Sequence, residues 1–261
     1  MITETDRSYM KDAFAQLRDP VRLVVFTSAL GCASCQAAVE TAKAIRTQSP
    51  RIGLEPYDLT MDRDKTDQYG VQRAPCIIVQ GGDGRLIKFY GTPKDVFFRV
   101  LVDCIAAVST GKDWFPEEVR APLAMLTSDV SIQVFVENGC EACRPVAETA
   151  IGLGLSSNYI YADVVIAEDF PDLMKKHLIG SLPKTVFGGN LHLDGHVTEI
   201  LFLEMIFQAE GLKPGLGKHC VVCGNPSSDV ICTTCKTKIQ AEAVDHKLRS
   251  EKLGKSDSRR S

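Results

Sequence analysis

From Cys32 to Pro75 is 43 positions, and from Cys140 to Pro183 is 43 again. Each of these cysteines follows a glycine (Gly31, Gly139) and precedes a second cysteine three residues on (Cys35, Cys143). Beyond each proline lies a Gly-Gly pair, Gly81-Gly82 and Gly188-Gly189, one position out of register. An offset of 108 therefore superimposes one half of the chain on the other. Such a duplication requires the same supersecondary unit twice in succession. The 261 residues leave room for it, since two ordinary domains need about that length.

Hydrophobic periodicity supports the repeat. Residues 5–18 read as a helix with Met10, Phe14 and Leu17 on one face, stopped by Pro20. Residues 21–27 (VRLVVFT) are short and β-branched, as in a buried strand. A helix is expected over 33–46, a strand over 53–59 and a short helix over 62–69. Pro75 opens a strand over 76–80, which turns at 81–84 into an antiparallel strand over 86–90. A helix over 93–108 closes the unit, with Cys104 on its apolar face beside Phe97, Val100 and Leu101.

The order then recurs as helix 117–126, strand 131–136, helix to about 153, strand 159–163, helix 169–177, strands 184–187 and 191–193, and helix 198–209. The expected fold class is α/β: two units of mixed sheet flanked by helices, over residues 1–112 and 113–211. Residues 109–114 read as the junction, and 211–217 (GLKPGLG) as a connector to a small third unit over 212–240. The charged, Ser-rich stretch from 241 to 261 reads as a disordered tail.

Eight of the ten cysteines fall into four Cys-x-x-Cys pairs, at 32/35, 140/143, 220/223 and 232/235; Cys76 and Cys104 are left over. The first residues show no basic segment followed by an apolar one, and no apolar run approaches a membrane span, so a cytoplasmic location is expected. In a reducing compartment, paired cysteines signify redox chemistry or metal more often than structural bridges. The net charge of −3 argues against a general nucleic-acid binder.

Two cysteines at i and i+3 at a helix start lie close enough to bridge. Unpaired backbone N–H groups there favour a thiolate, the form that attacks a disulfide. Cys32 and Cys140 are thus the expected nucleophiles, with Cys35 and Cys143 resolving. In this topology the X-Pro bond facing a dithiol is usually cis and its neighbouring backbone pairs with extended substrate. Ala74-Pro75 and Leu182-Pro183 are the candidates. Cys76, directly after Pro75, reads either as a third thiol facing Cys32 or as a buried strand residue. Either pair taken alone would also suit a structural or metal site, and a redox-inactive scaffold that recruits protein or nucleic acid is the competing reading.

Gly31-Cys32-Ala33-Ser34-Cys35, Arg73-Ala74-Pro75, Phe89-Tyr90-Gly91-Thr92-Pro93 and Ile132-Gln133-Val134-Phe135-Val136 before Cys140 together resemble the protein disulfide oxidoreductase (glutaredoxin-like) family of tandem thioredoxin folds. The resemblance spans roughly residues 5–210. It implies dithiol–disulfide exchange with protein substrates and electrons from a thioredoxin-reductase-type flavoenzyme, with the second site often carrying most of the activity. The fillers Ala33-Ser34 and Glu141-Ala142 depart from the family's usual Pro-Tyr, and the tryptophan that precedes the motif in thioredoxins is absent. Glu141 should disfavour a Cys140 thiolate by like-charge repulsion, unless Arg144 offsets it.

Cys220-x2-Cys223-x8-Cys232-x2-Cys235 has the spacing of a four-thiolate zinc ribbon, with Gly224 suited to the turn after the first pair. His219 and His246 are spare ligands. A unit this small needs metal to fold, and redox sensing by its thiols is the other reading. Residues 212–261 hold ten Lys/Arg against five Asp/Glu but no aromatic residue, so base stacking is unsupported and a protein-docking role is favoured over nucleic acid. No Gly-x-Gly-x-x-Gly follows a strand, so no flavin or nicotinamide site is expected; electrons come from a partner or a small thiol. Asp163, Glu168 and Asp169 read as helix entry and solvated surface, and His177 and His192 as isolated.

Overall fold

The computed structural model describes residues 2–196, 198–211, 220, 222, 223, 225 and 227–257. Most of the expected connector, His219, Gly224 and residues 258–261 lie outside them. In the first half, α1 (Glu4–Phe14) is opened by a capping box: the Asp6 amide donates to Thr3 Oγ1 at 3.1 Å and the Thr3 amide to Asp6 Oδ2 at 2.9 Å. There follow β1 (Val21–Thr27), α2 (Cys35–Arg46), β2 (Ile52–Asp58), α3 (Arg63–Tyr69), β3 (Cys76–Gln80), β4 (Leu86–Tyr90) and α4 (Asp95–Thr110). The second half repeats the order with α5 (Glu117–Arg120), β5 (Val130–Val136), α6 (Arg144–Ser156), β6 (Ile160–Ile166), α7 (Pro171–Lys176), β7 (Lys184–Phe187), β8 (Leu191–Asp194) and α8 (Glu199–Ala209). The expected helix over 117–126 is broken: α5 gives way to a 3-10 turn over Ala121–Met125, where Pro122 supplies no amide for an α-helical bond.

All eight strands form one sheet, in the order β2-β1-β3-β4-β6-β5-β7-β8. Each half contributes the same local order, and the halves join head to tail through a parallel pairing of β4 with β6, in which Lys88 faces Asp163 and Tyr90 faces Val165. That join explains why β6 runs to Ile166 rather than ending near 163: Val164 and Val165 pair with β4 on one side and β5 on the other. Successive side chains face opposite sides of the sheet, and both sides are covered. On β1, Leu23 and Val25 face the core beneath α1, α2, α4 and α6, while Val24 and Phe26 face the opposite core with Tyr69, Phe170 and Leu173. Cys104 is fully buried on α4.

At the junction, Trp114 and Phe115 pack onto α6 at a glycine. A Cβ on Gly152 would lie 2.6 Å from Trp114 and 2.7 Å from Phe115, so only a residue without a side chain fits.

The charged C-terminal stretch departs from expectation. α9 (Thr233–Asp257) continues through most of the segment expected to be disordered. Cys235, Ile239 and Ala243 recur every four residues and are buried in the main core, against α5 and α8. Lys247 Nζ pairs with the buried Glu199 at 2.8 Å, and Lys236 Nζ with Glu204 at 2.5 Å. The charges flank a narrow apolar stripe, and composition registers the charges more strongly than the stripe.

Two dithiol sites and a cysteine cluster

The first site sits where β1 ends and α2 begins. Gly31 takes a left-handed φ of 71°, turning the chain so that Cys32 meets Cys35 at the helix start. The two form a disulfide with their Cα atoms 5.4 Å apart. Cys32 is half-buried, whereas Cys35 is buried and its Sγ accepts from the Ser28 amide at 3.3 Å. The second site repeats this at the end of β5. Cys140 is half-buried and bridged to the fully buried Cys143 across a 3-10 turn, Glu141–Cys143, that leads into α6. In both, the more exposed residue of the pair is the first cysteine.

Both prolines lie beside these loops. Antiparallel pairing of β3 with β1 sets Cys76 opposite Phe26, and pairing of β7 with β5 sets Lys184 opposite Phe135. Pro75 and Pro183 are each one residue outside the last pair, next to the segment that carries the cysteines. The Ala74–Pro75 and Leu182–Pro183 peptide bonds are cis. Behind them, Gly91 donates to the Pro75 carbonyl at 2.9 Å and Gly195 to the Pro183 carbonyl at 2.8 Å.

Cys76 does not join the first site. It is fully buried in the core with Val24, Phe26 and Tyr90, on the sheet face opposite the Ala38 and Ala42 of α2. Burial, then the nearby Asp163, push its thiol well above the usual range. The pleat gives the reason: a residue directly after the proline points away from the dithiol that the proline flanks.

Arg144, the residue that could offset Glu141, is committed elsewhere. Its guanidinium binds Glu148 at 2.6 Å and Asp103 of α4 at 3.2 Å. Asp103 also accepts from the Tyr9 hydroxyl at 2.6 Å. Exposed Glu141 is thus the nearer uncompensated charge. Glu141→Gln should raise the alkylation rate of reduced Cys140 about two- to fivefold at pH 7, measured against iodoacetamide, with little change at Cys32. An unchanged rate would show that Glu141 does not tune this thiol.

Three sequence readings are corrected, the first two by the head-to-tail join. Asp163 is not solvated surface: it faces Lys88 across the join and accepts from Gln133 at 3.3 Å, and burial pushes its carboxyl up to about 6 against the pull of Lys88. Asp169 accepts from the Thr92 amide of the first half at 2.8 Å. His177 is buried with its ring 6.0 Å from that of His192 and 5.4 Å from Phe135, so neither histidine is isolated.

The four C-terminal cysteines converge, with all four sulfurs within 4.8 Å of one another. Cys223 Sγ lies 3.8 Å from Cys232 Sγ. A tetrahedral metal with bonds of about 2.3 Å to sulfur sets its ligands about 3.8 Å apart, so the donor set fits such an ion. Backbone amides of Cys232 at 3.2 Å and Val222 at 3.4 Å point at Cys220 Sγ. Burial opposes ionisation of that thiol, and these amides outweigh it and lower its pKa. The cluster can hold a metal ion.

The sheet order, the paired dithiols and their flanking prolines define a thioredoxin-type architecture, used twice. The thioredoxin domain family matches residues 130–208. A probable thioredoxin from Methanothermobacter marburgensis is 29% identical over 85 residues, covering 32% of this chain and 94% of that protein. A protein disulfide oxidoreductase from Aeropyrum pernix superimposes with a TM-score of 0.72 at 25% identity, over 81% of this chain and 95% of the other. The NTD_N/C domain of alkylhydroperoxide reductase AhpF from Enterococcus faecalis gives 0.73 at 22% identity, over 79% of this chain and the whole of that one. The chain is built from tandem thioredoxin-like folds, one of which, over residues 130–208, matches the thioredoxin domain family, with an added four-cysteine cluster. No helix among the described residues is long and apolar enough to cross a membrane.

Proposed function

We propose that this chain exchanges dithiols and disulfides with protein substrates through both sites. One observation carries the reading: each half pairs a half-buried first cysteine with a buried second one, beside a proline-led strand. An incoming thiol or disulfide reaches Cys32 or Cys140 first. In the reducing direction, the Cys32 or Cys140 thiolate attacks a substrate disulfide and forms a mixed disulfide, releasing one substrate thiolate. Cys35 or Cys143 then loses its proton and attacks the enzyme-side sulfur. The substrate leaves as a dithiol and the enzyme as a disulfide, two electrons having passed to the substrate. The backbone at Ala74-Pro75 and Leu182-Pro183 aligns extended substrate. Two electrons and two protons from a thioredoxin-reductase-type flavoenzyme or a small thiol restore the dithiols.

In this reading, residues 1–112 and 113–211 are the two catalytic units. Cys220, Cys223, Cys232 and Cys235 would hold a zinc ion, which would fasten the C-terminal unit, a surface for a protein partner. The compartment is the cytoplasm, where such dithiols are kept reduced. Trapping tests the exchange step. With insulin as substrate, Cys35→Ser should accumulate an adduct at Cys32, and Cys143→Ser one at Cys140, visible on non-reducing gels and mapped by mass spectrometry. No adduct in either variant would favour a redox-inactive scaffold.

A further inference from the structure

Thr92 lies between the two sites and is almost wholly buried, 1% exposed. Its hydroxyl donates to the carbonyl of Ser34, inside the Cys32–Cys35 turn, at 3.1 Å. Its amide donates to Asp169 Oδ2 at 2.8 Å, and its carbonyl accepts from Asn138 Nδ2 at 3.3 Å. The other end of the Asn138 amide accepts from the Lys94 amide at 2.7 Å, and the Asn138 backbone amide donates to Glu168 at 3.2 Å. Asn138 stands two residues before Cys140. The path from one dithiol turn to the other is thus two hydrogen bonds through one buried residue.

The path is rigid. A Cβ on Gly91, whose φ is +96°, would lie 2.7 Å from Asp169 Oδ2 and 2.8 Å from Ile166 Cβ, so the second half is seated directly on this loop. The corresponding glycine of the second half, Gly195, is followed by exposed His196. Residues of the second half, Asn138, Ile166 and Asp169, pack on the loop that carries Thr92. The second motif is held on its far flank as well, by Arg144 on Asp103 of α4.

We infer that Thr92 and Asn138 couple the two dithiols, so that opening either disulfide makes the other easier to reduce. The inference rests on both pairs being redox-active as proposed above. Reduction converts a disulfide, two electrons and two protons into two thiols and frees the intervening turn. At the first site the Ser34 carbonyl then moves only as far as Thr92 allows. Water cannot replace a bond lost at a buried hydroxyl. The bonds as they stand join two oxidised turns, so each oxidised turn favours the other. Such coupling is reciprocal. Thr92 and Asn138 are positioning residues, since neither touches a reacting sulfur.

The test is the oxidation equilibrium of Cys32/Cys35 against glutathione, read by differential alkylation and mass spectrometry. It is measured in the full chain and in Cys140→Ser/Cys143→Ser, which holds the second site open. The open variant should oxidise Cys32/Cys35 about fivefold less favourably, at the low end of ordinary site-to-site coupling. In a Thr92→Val or Asn138→Ala background, the gap should shrink below about 1.5-fold. Thr92→Ser, which keeps the hydroxyl, should restore it. Thermal melts of each variant show whether it has folded. Equal constants with the second site closed and open, while Cys32/Cys35 still cycles, would overturn the coupling and leave the redox function standing. Failure of both pairs to oxidise at any glutathione ratio would overturn the redox function and the coupling with it.

Discussion

A chain carrying Cys32→Ser and Cys140→Ser together should reduce insulin with dithiothreitol at the uncatalysed rate, a loss of at least about a hundredfold. The magnitude follows from the chemistry. A serine hydroxyl is un-ionised at neutral pH and cannot form a disulfide, so neither the attack nor the mixed disulfide survives. The remaining partners, Cys35 and Cys143, are buried and cannot substitute for the first sulfurs. The single variants separate the sites. At pH 7, Cys32→Ser should cost the larger share, because Glu141 weakens the Cys140 thiolate and Arg144 is spent on Asp103 and Glu148. The imbalance should narrow in a Glu141→Gln background. Insulin turbidity at pH 7 is the measurement, and wild-type rates in both single variants would rule out a catalytic role for these cysteines.

Replacing Cys232 and Cys235 by serine, or stripping metal with a strong chelator, should release one zinc per chain and unfasten α9. Structural zinc contributes on the order of 10 kcal/mol to the folding of units this small. The buried face of α9 is short, with Cys235, Ile239 and Ala243 its described apolar anchors near the cluster. Without the metal, the 25-residue helix loses the knot that starts it. Circular dichroism should show lost helix, and amide exchange should speed up through residues 233–243 and along α8, which α9 covers. Insulin reduction should persist, because the cluster lies outside both dithiol loops. Retained zinc and protected amides in the double-serine variant would refute the assignment.

Much of the architecture was legible because local signals agreed with each other. The 43-residue spacing, the strand 21–27 and the turn at 81–84 each specify a piece of one unit, and the duplication supplied the second. The four-cysteine cluster was legible for the same reason, since spacing alone brings such ligands together. The parts that were missed are long-range. Nothing near Asp163 announces that β4 of the other half will lie alongside it, so a half-buried carboxylate facing Lys88 read as solvated surface. Thr92 and Asn138 are ordinary polar loop residues until the halves dock and bond them to each other, with Thr92 buried and Asn138 half-buried. Cys76 was ambiguous because its position next to Pro75 gives proximity in sequence but not the face of the sheet. The α9 stripe was hidden by composition, its few apolar positions outnumbered by charges that snorkel at its edges.

In the proposed function this chain holds two working dithiols and one separate metal knot. Zinc stoichiometry, combined with mapped free-thiol counting before and after mild reduction, tests it most directly. The expected result is one zinc per chain throughout, with four new thiols on reduction, located at Cys32, Cys35, Cys140 and Cys143. Two zincs per chain, with no reducible disulfide at those four positions, would contradict it and make the chain a metal-bound scaffold.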